Sequence, residues 1–87
     1  MIMSAMTVYL PELTDVTEFV RIMTRFPFEA QLTVGSYAVD AKSIMGIFTL
    51  DREQPLCLEA DTADSKEIAT LRTSLGRFLQ KPVHSIG

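Results

Sequence analysis

Two stretches of this chain carry apolar residues at helical spacing, and each carries them on one side only. Val16, Phe19, Val20 and Met23 recur at offsets 0, 3, 4 and 7, and Ile68, Leu71, Leu75, Phe78 and Leu79 at offsets 0, 3, 7, 10 and 11. A helix with a single apolar stripe has to bury that stripe against a second layer. The rest of the chain says what that layer is. Met6-Thr7-Val8-Tyr9-Leu10 alternates, with Met6, Val8 and Leu10 on one face, and Pro11 ends the run. Ala30, Leu32 and Val34, then Tyr37 and Val39, alternate on either side of Gly35-Ser36 and are expected to face the core. A glycine supplies the positive φ that a two-residue hairpin turn needs. Pro55 to Ala60 returns to period two. Four half-buried strands and one-sided helices predict an α+β fold, a two-layer open-faced sandwich with the helices on one face of an antiparallel sheet and water on the other.

Acidic residues mark the helix starts. Asp15 with Glu18, and Asp64 with Glu67, have the spacing of a capping box, which satisfies the orphan N–H groups of a first turn. The first helix is expected from about Thr14 to Arg25, closed by Pro27, and the last is expected to run on until Lys81-Pro82 stops it. Lys42 to Leu50 breaks the strand alternation and fits a helix of one or two turns, with Ser43 as its N-cap and Gly46 weakening it. The order is strand, helix, strand, strand, short helix, strand, helix.

A chain of 87 residues has room for one domain, here 1–87 with a core from 6 to 80 and short flexible tails. Its apolar content of 47% against 22% charged is that of a globular protein. The formal charge of −3 and the scatter of its eight basic residues exclude a nucleic-acid partner, which needs clustered Lys and Arg. The single cysteine, Cys57, permits no internal disulfide or zinc site and is expected as an ordinary buried thiol in an apolar strand. Neither a signal peptide nor a membrane span is legible, so the expected location is cytoplasmic. No Ser-His-Asp set, Cys-His pair, Gly-rich phosphate loop or metal-ligand spacing occurs, so neither enzyme activity nor a cofactor nor a metal is expected.

The segment Val39-Asp40-Ala41-Lys42-Ser43-Ile44-Met45-Gly46, followed by Ile47-Phe48-Thr49-Leu50, closely resembles the serine-bearing segment of HPr, the small phosphocarrier of the bacterial sugar phosphotransferase system. The resemblance runs from about Met6 to Leu79 and implies that family's fold, a βαββαβα open-faced sandwich with four antiparallel strands. In the family the chemistry sits between the first strand and the first helix, on a Gly-x-His-x-Arg-Pro-like segment whose histidine accepts a phosphoryl group from phosphoenolpyruvate through a loading enzyme. Here the matching slot reads Leu10-Pro11-Glu12-Leu13-Thr14-Asp15-Val16-Thr17, without His, Arg or Gly, and it is shorter. The only histidine, His84, follows Pro82 and does not map onto it.

Glu12, Thr14 and Asp15 therefore mark a degenerate former active site. Glu12, Asp15 and Glu18 are expected around the helix N-terminus, where at about 5–8 Å each would repel a phosphate by roughly 0.5–1 kcal/mol per unit charge product in water. On the residues alone, the same acids serve equally as caps that complement the helix dipole.

Ser43 is the family position that survives. The resemblance implies a regulatory phosphosite, since the matching serine of many HPr proteins is phosphorylated by an HPr kinase and the product partners a transcription regulator. The residue type alone is satisfied by an N-cap. Lys42, Ser43, Ile44, Met45, Ile47 and Phe48 are the expected partner-binding surface, with core packing as the alternative for the apolar members. The reading is an HPr-like regulatory or protein-binding domain that has lost histidyl phosphotransfer. Its partners would be other proteins, such as an HPr kinase, phosphotransferase-system components or a transcription regulator. Two alternatives stay open, a phosphocarrier with an unconventional acceptor and a structural remnant without phosphorylation.

Overall fold

A computed structural model describes residues 4–81. In chain order the elements are strand β1 (Ser4–Val8), helix α1 (Leu13–Met23), strands β2 (Ala30–Val34) and β3 (Tyr37–Asp40), helix α2 (Ile44–Phe48), strand β4 (Leu56–Ala60) and helix α3 (Ser65–Leu75), followed by a 3-10 turn over Gly76–Leu79. The strands form one sheet in the order β1-β4-β2-β3 with every pair antiparallel. The element order and the α+β class are those expected from the periodicities.

The register makes the two faces explicit. Met6 pairs with Leu58, Leu58 with Leu32, and Leu32 with Val39, so one apolar row crosses all four strands. One residue further along each strand, Thr7, Cys57, Thr33 and Ala38 form the matching row on the opposite face. Successive side chains in a strand point to opposite faces, so a single register decides both rows. Leu32 and Leu58 are completely buried, whereas Thr7 and Ala38 are exposed. The same period corrects the expectation for Cys57. With Leu56, Leu58 and Ala60 inward, Cys57 lies on the open face as a half-buried free thiol.

The helix stripes meet over the inner face. Val16, Phe19, Met23, Leu71 and Leu75 are buried together with Phe78, which meets Phe19 edge to face at 6.4 Å between ring centroids. Three helix details differ from the sequence-based expectation. First, α1 begins at Leu13 with Glu12 as N-cap, one turn before the position assigned to Asp15. Asp15 is the reciprocal acid instead, its Oδ2 accepting the Glu12 N–H at 3.0 Å. Second, Asp64 caps α3 through the Lys66 and Glu67 N–H groups as expected, but Glu67 accepts the Thr62 hydroxyl at 2.6 Å rather than reaching back to the cap. Third, α3 stops at Leu75, well before Lys81-Pro82. Gly76 adopts φ +41°, a conformation open to glycine, which turns the chain so that Phe78 reaches the core from a tighter turn.

Gly35, at φ +57°, makes the β2–β3 turn, as read from the Gly-Ser pair. Tyr37 lies on the same face as Val39 but is not buried: it begins the edge strand beside that turn and is 71% exposed. Val34 and Val39 pack at the core margin. Ser4 and Ala5, expected in the N-terminal tail, belong to strand β1, where they pair with Ala60 and Glu59; the outer parts of the expected tails, residues 1–3 and 82–87, and with them His84, lie outside the described residues.

Candidate functional site

The segment that carries the serine is shaped by close packing against β3. Ser43 has extended backbone angles and N-caps α2, its Oγ accepting the Gly46 N–H at 3.1 Å. A Cβ on residue 46 would lie 3.2 Å from both the Ser43 Oγ and the Val39 Cβ. Glycine at this position therefore lets the helix approach the sheet and leaves the hydroxyl its place. Replacing Ser43 with Ala should cost about 0.5–2 kcal/mol of stability, measured by denaturant unfolding, because the cap bond is lost without a substitute.

The expected contact residues separate into two groups. Ile44 and Phe48 are each 37% exposed and Met45 is 77% exposed. Ile47, expected on the partner-binding surface, is instead completely buried in the core with Ala41 and Leu50. A single helical turn has one side turned inward, and Ile47 is the side chain of α2 that reaches the core. Lys42 is also constrained, its Nζ donating to the Phe26 carbonyl at 2.8 Å and its N–H to Asp40 Oδ1 at 2.8 Å. Met45→Ser should leave stability within about 0.5 kcal/mol of the parent, while Ile47→Val, a smaller change in atoms, should cost about 0.5–1.5 kcal/mol. Equal losses in the two variants would contradict this division.

At the other end of α2 lies the segment between β1 and α1. Tertiary structure brings it two arginines that the local sequence lacks. Arg52 places Nη1 3.2 Å from the carbonyls of both Leu10 and Pro11, with its guanidinium 5.6 Å from the Phe48 ring centroid. Arg77, from the 3-10 turn after α3, donates from Nη1 to Asp15 Oδ1 at 2.7 Å and lies 4.2 Å over the Phe78 ring. The Tyr9 N–H donates to the Phe78 carbonyl at 2.8 Å, which fixes the same two segments together. Nothing in the sequence near residue 10 announces either arginine, and the only available signal for Arg77 is that it precedes a stripe residue.

Of the three acids expected around the α1 N-terminus, each has a different setting. Asp15 is only 6% exposed and uses both oxygens within the protein. Glu12 is exposed, as is Thr14, whose carbonyl accepts the Thr17 hydroxyl. Glu18 is turned toward Arg21 at 3.5 Å on the exposed side of the helix. A groove of about 1070 Å³ borders the segment, lined among others by Tyr9, Glu12, Arg52, Glu53, Arg77 and Lys81. Among the described residues that line it there is no imidazole. Among the described residues, no group of three or more His, Cys, Asp or Glu is placed to hold a metal ion, and no helix is long and apolar enough to cross a membrane.

No family model matches the chain, and no curated protein does. Solved structures do match. HPr-C-His from Thermoanaerobacter tengcongensis is 22% identical over 87% of this chain and 97% of its own, with a TM-score of 0.64. The phosphocarrier protein HPr from Bacillus anthracis str. Ames is 23% identical over 84% of this chain and 94% of its own, with a TM-score of 0.65. The chain has the HPr fold over nearly the whole length of those proteins.

Proposed function

We propose that this HPr-like domain acts in protein binding or regulation and does not carry a phosphoryl group on histidine. The observation that carries the reading is the contrast between the two ends of α2. At one end, the segment that holds the phosphoryl acceptor in HPr phosphocarriers has a buried Asp15 paired with an exposed Arg77 and lacks an imidazole. At the other, a serine caps the short helix, which leaves Ile44 and Met45 exposed at that end and Phe48 in its last turn. Single exposed apolar residues are ordinary on protein surfaces, but three on a five-residue helix make a compact contact patch. The unbranched thioether of Met45 can adapt its shape to a partner.

Ser43 is the regulatory position in this reading. A phosphate there would add close to two negative charges beside the exposed residues of α2, changing which partner surfaces fit while leaving the sheet and the long helices untouched. The test uses an HPr kinase on the parent chain and on Ser43→Ala, followed by mass spectrometry. A gain of about 80 Da on the parent and none on the variant supports regulation at this serine. An unmodified parent leaves Ser43 with its capping role alone.

A further inference from the structure

We infer that the free edge of β3 is a strand-addition site for an extended, basic segment of a partner protein. The inference uses neither Ser43 nor the exposed residues of α2, so it stands apart from the function proposed above. β3 is the last strand in the sheet order, and among the described residues only β2 pairs with it. The two-residue turn Gly35-Ser36 closes on the Val34–Tyr37 pair, so Tyr37 and Val39 exchange backbone bonds with β2, and the alternate residues Ala38 and Asp40 point theirs away from it. Two bonds past the strand agree with this phase. The Ala41 N–H donates to the Ala30 carbonyl at 3.0 Å, and the Asp40 carbonyl accepts the Ser43 N–H at 3.0 Å. The outward groups at the edge are therefore the N–H and carbonyl of Ala38 and the N–H of Asp40.

Proteins commonly blunt a free edge with proline, lysine or a bulge, and β3 has none of these. Its residues, Tyr37-Ala38-Val39-Asp40, pair with β2 in unbroken register, and the outward Ala38 is exposed with a side chain too small to shield the backbone. Charge identifies the occupant. A cleft of about 320 Å³ beside the edge is lined among others by Glu29, Gln31, Ala38, Asp40 and Asp61, with no basic residue in its lining. The three acids are exposed, whereas Lys42, the basic residue closest to Asp40 in sequence, has its Nζ on the Phe26 carbonyl at 2.8 Å. Among the described residues no such cluster is placed to hold a metal ion, so positive charge spread along a strand matches these acids better than a single cation. A second copy of the chain would bring the same three carboxylates and a further formal charge of −3 to the seam, which opposes self-pairing. A strand with Lys or Arg at alternate positions would set them over the open face, where Gln31, Ala38 and Asp40 lie, and its intervening apolar residues beside Val39 and the exposed Tyr37.

The experiment follows the backbone amide NMR signals of the parent chain while a short capped peptide of alternating lysine and valine is added at constant ionic strength. The expected result is saturable shifts from Gly35 to Ala41, with slowed hydrogen exchange at the Ala38 and Asp40 N–H groups. Glu29→Gln, Asp40→Asn and Asp61→Asn combined should weaken binding about tenfold. The asparagine keeps the Oδ1 that accepts the Lys42 N–H and removes only the charge. Ala38→Pro, which deletes an edge N–H that β2 does not use, should abolish the response. If that variant does not fold, a fully N-methylated peptide makes the same test on the parent chain, because it keeps the charges and cannot donate to the edge. Shifts without slowed exchange, equal binding by the neutral variant, or saturation by the N-methylated peptide would each overturn the inference. Shifts in β3 that grow with protein concentration in the absence of peptide would make a second copy the occupant and overturn it as well.

Discussion

Incubated with phosphoenolpyruvate and a loading enzyme under conditions that fully charge an ordinary HPr, this protein should gain no acid-labile phosphate. The expected effect is all or none. A phosphoryl group needs a nucleophile at the α1 N-terminus, and the segment from Leu10 to Thr17 has no imidazole. Its buried acid is already paired with Arg77. Intact-mass measurement reads the outcome directly, as an adduct of about 80 Da that acid treatment removes would contradict the proposal. A single histidine introduced at Thr14 should not restore loading, because the Asp15 carboxylate, bonded to the Glu12 N–H and to Arg77 Nη1, would still place a negative charge at the start of α1. Acid-stable phosphate found on Ser43 in a separate kinase reaction would be compatible with this result.

The second large effect belongs to the core. Phe19→Ala should destabilise the domain by about 3–5 kcal/mol, measured as a shift in denaturant midpoint with an unchanged slope. Phe19 has no solvent exposure and stands edge-on to Phe78, so the truncation removes both the burial of a large side chain and an aromatic pair. Native domains are stable by only about 5–15 kcal/mol, and a chain of 87 residues has a small core in which to absorb such a loss. A cost below about 1 kcal/mol would mean that α1 does not pack on the 3-10 turn as described. Such a result would also remove the support for the neighbouring Asp15–Arg77 contact, since both depend on the same placement of residues 76 to 79.

The periodicities of this sequence already determined its architecture. Period two in Met6 to Leu10, Ala30 to Val39 and Pro55 to Ala60, with helical spacing in Val16 to Met23 and Ile68 to Leu75, left a one-sided sheet covered by helices as the arrangement that buries every apolar face. Local chemistry was legible too, in the Ser43 and Asp64 caps and the Gly35 turn, because each acts within a few residues of itself. Alternation read strictly would also have placed Cys57 on the open face, between two inward leucines. The exposure of Tyr37, on the same face as Val39, followed from a fact that no local pattern carries, namely that it stands at the turn end of the strand at the sheet's edge.

What only the tertiary structure decided is the charge environment between β1 and α1. Read along the chain, that segment contains carboxylates and no cation, and it looks built to repel phosphate. Folding carries Arg52 onto the Leu10 and Pro11 carbonyls and Arg77 onto Asp15, across separations of 41 to 62 residues. The difference arises because hydrophobic periodicity records which side of each element is buried, whereas ion pairing depends on which element ends are brought together. The early stop of α3 at Gly76 is an example of the second kind: a glycine at positive φ shortens the helix, and the turn that replaces it delivers both Phe78 to the core and Arg77 to Asp15.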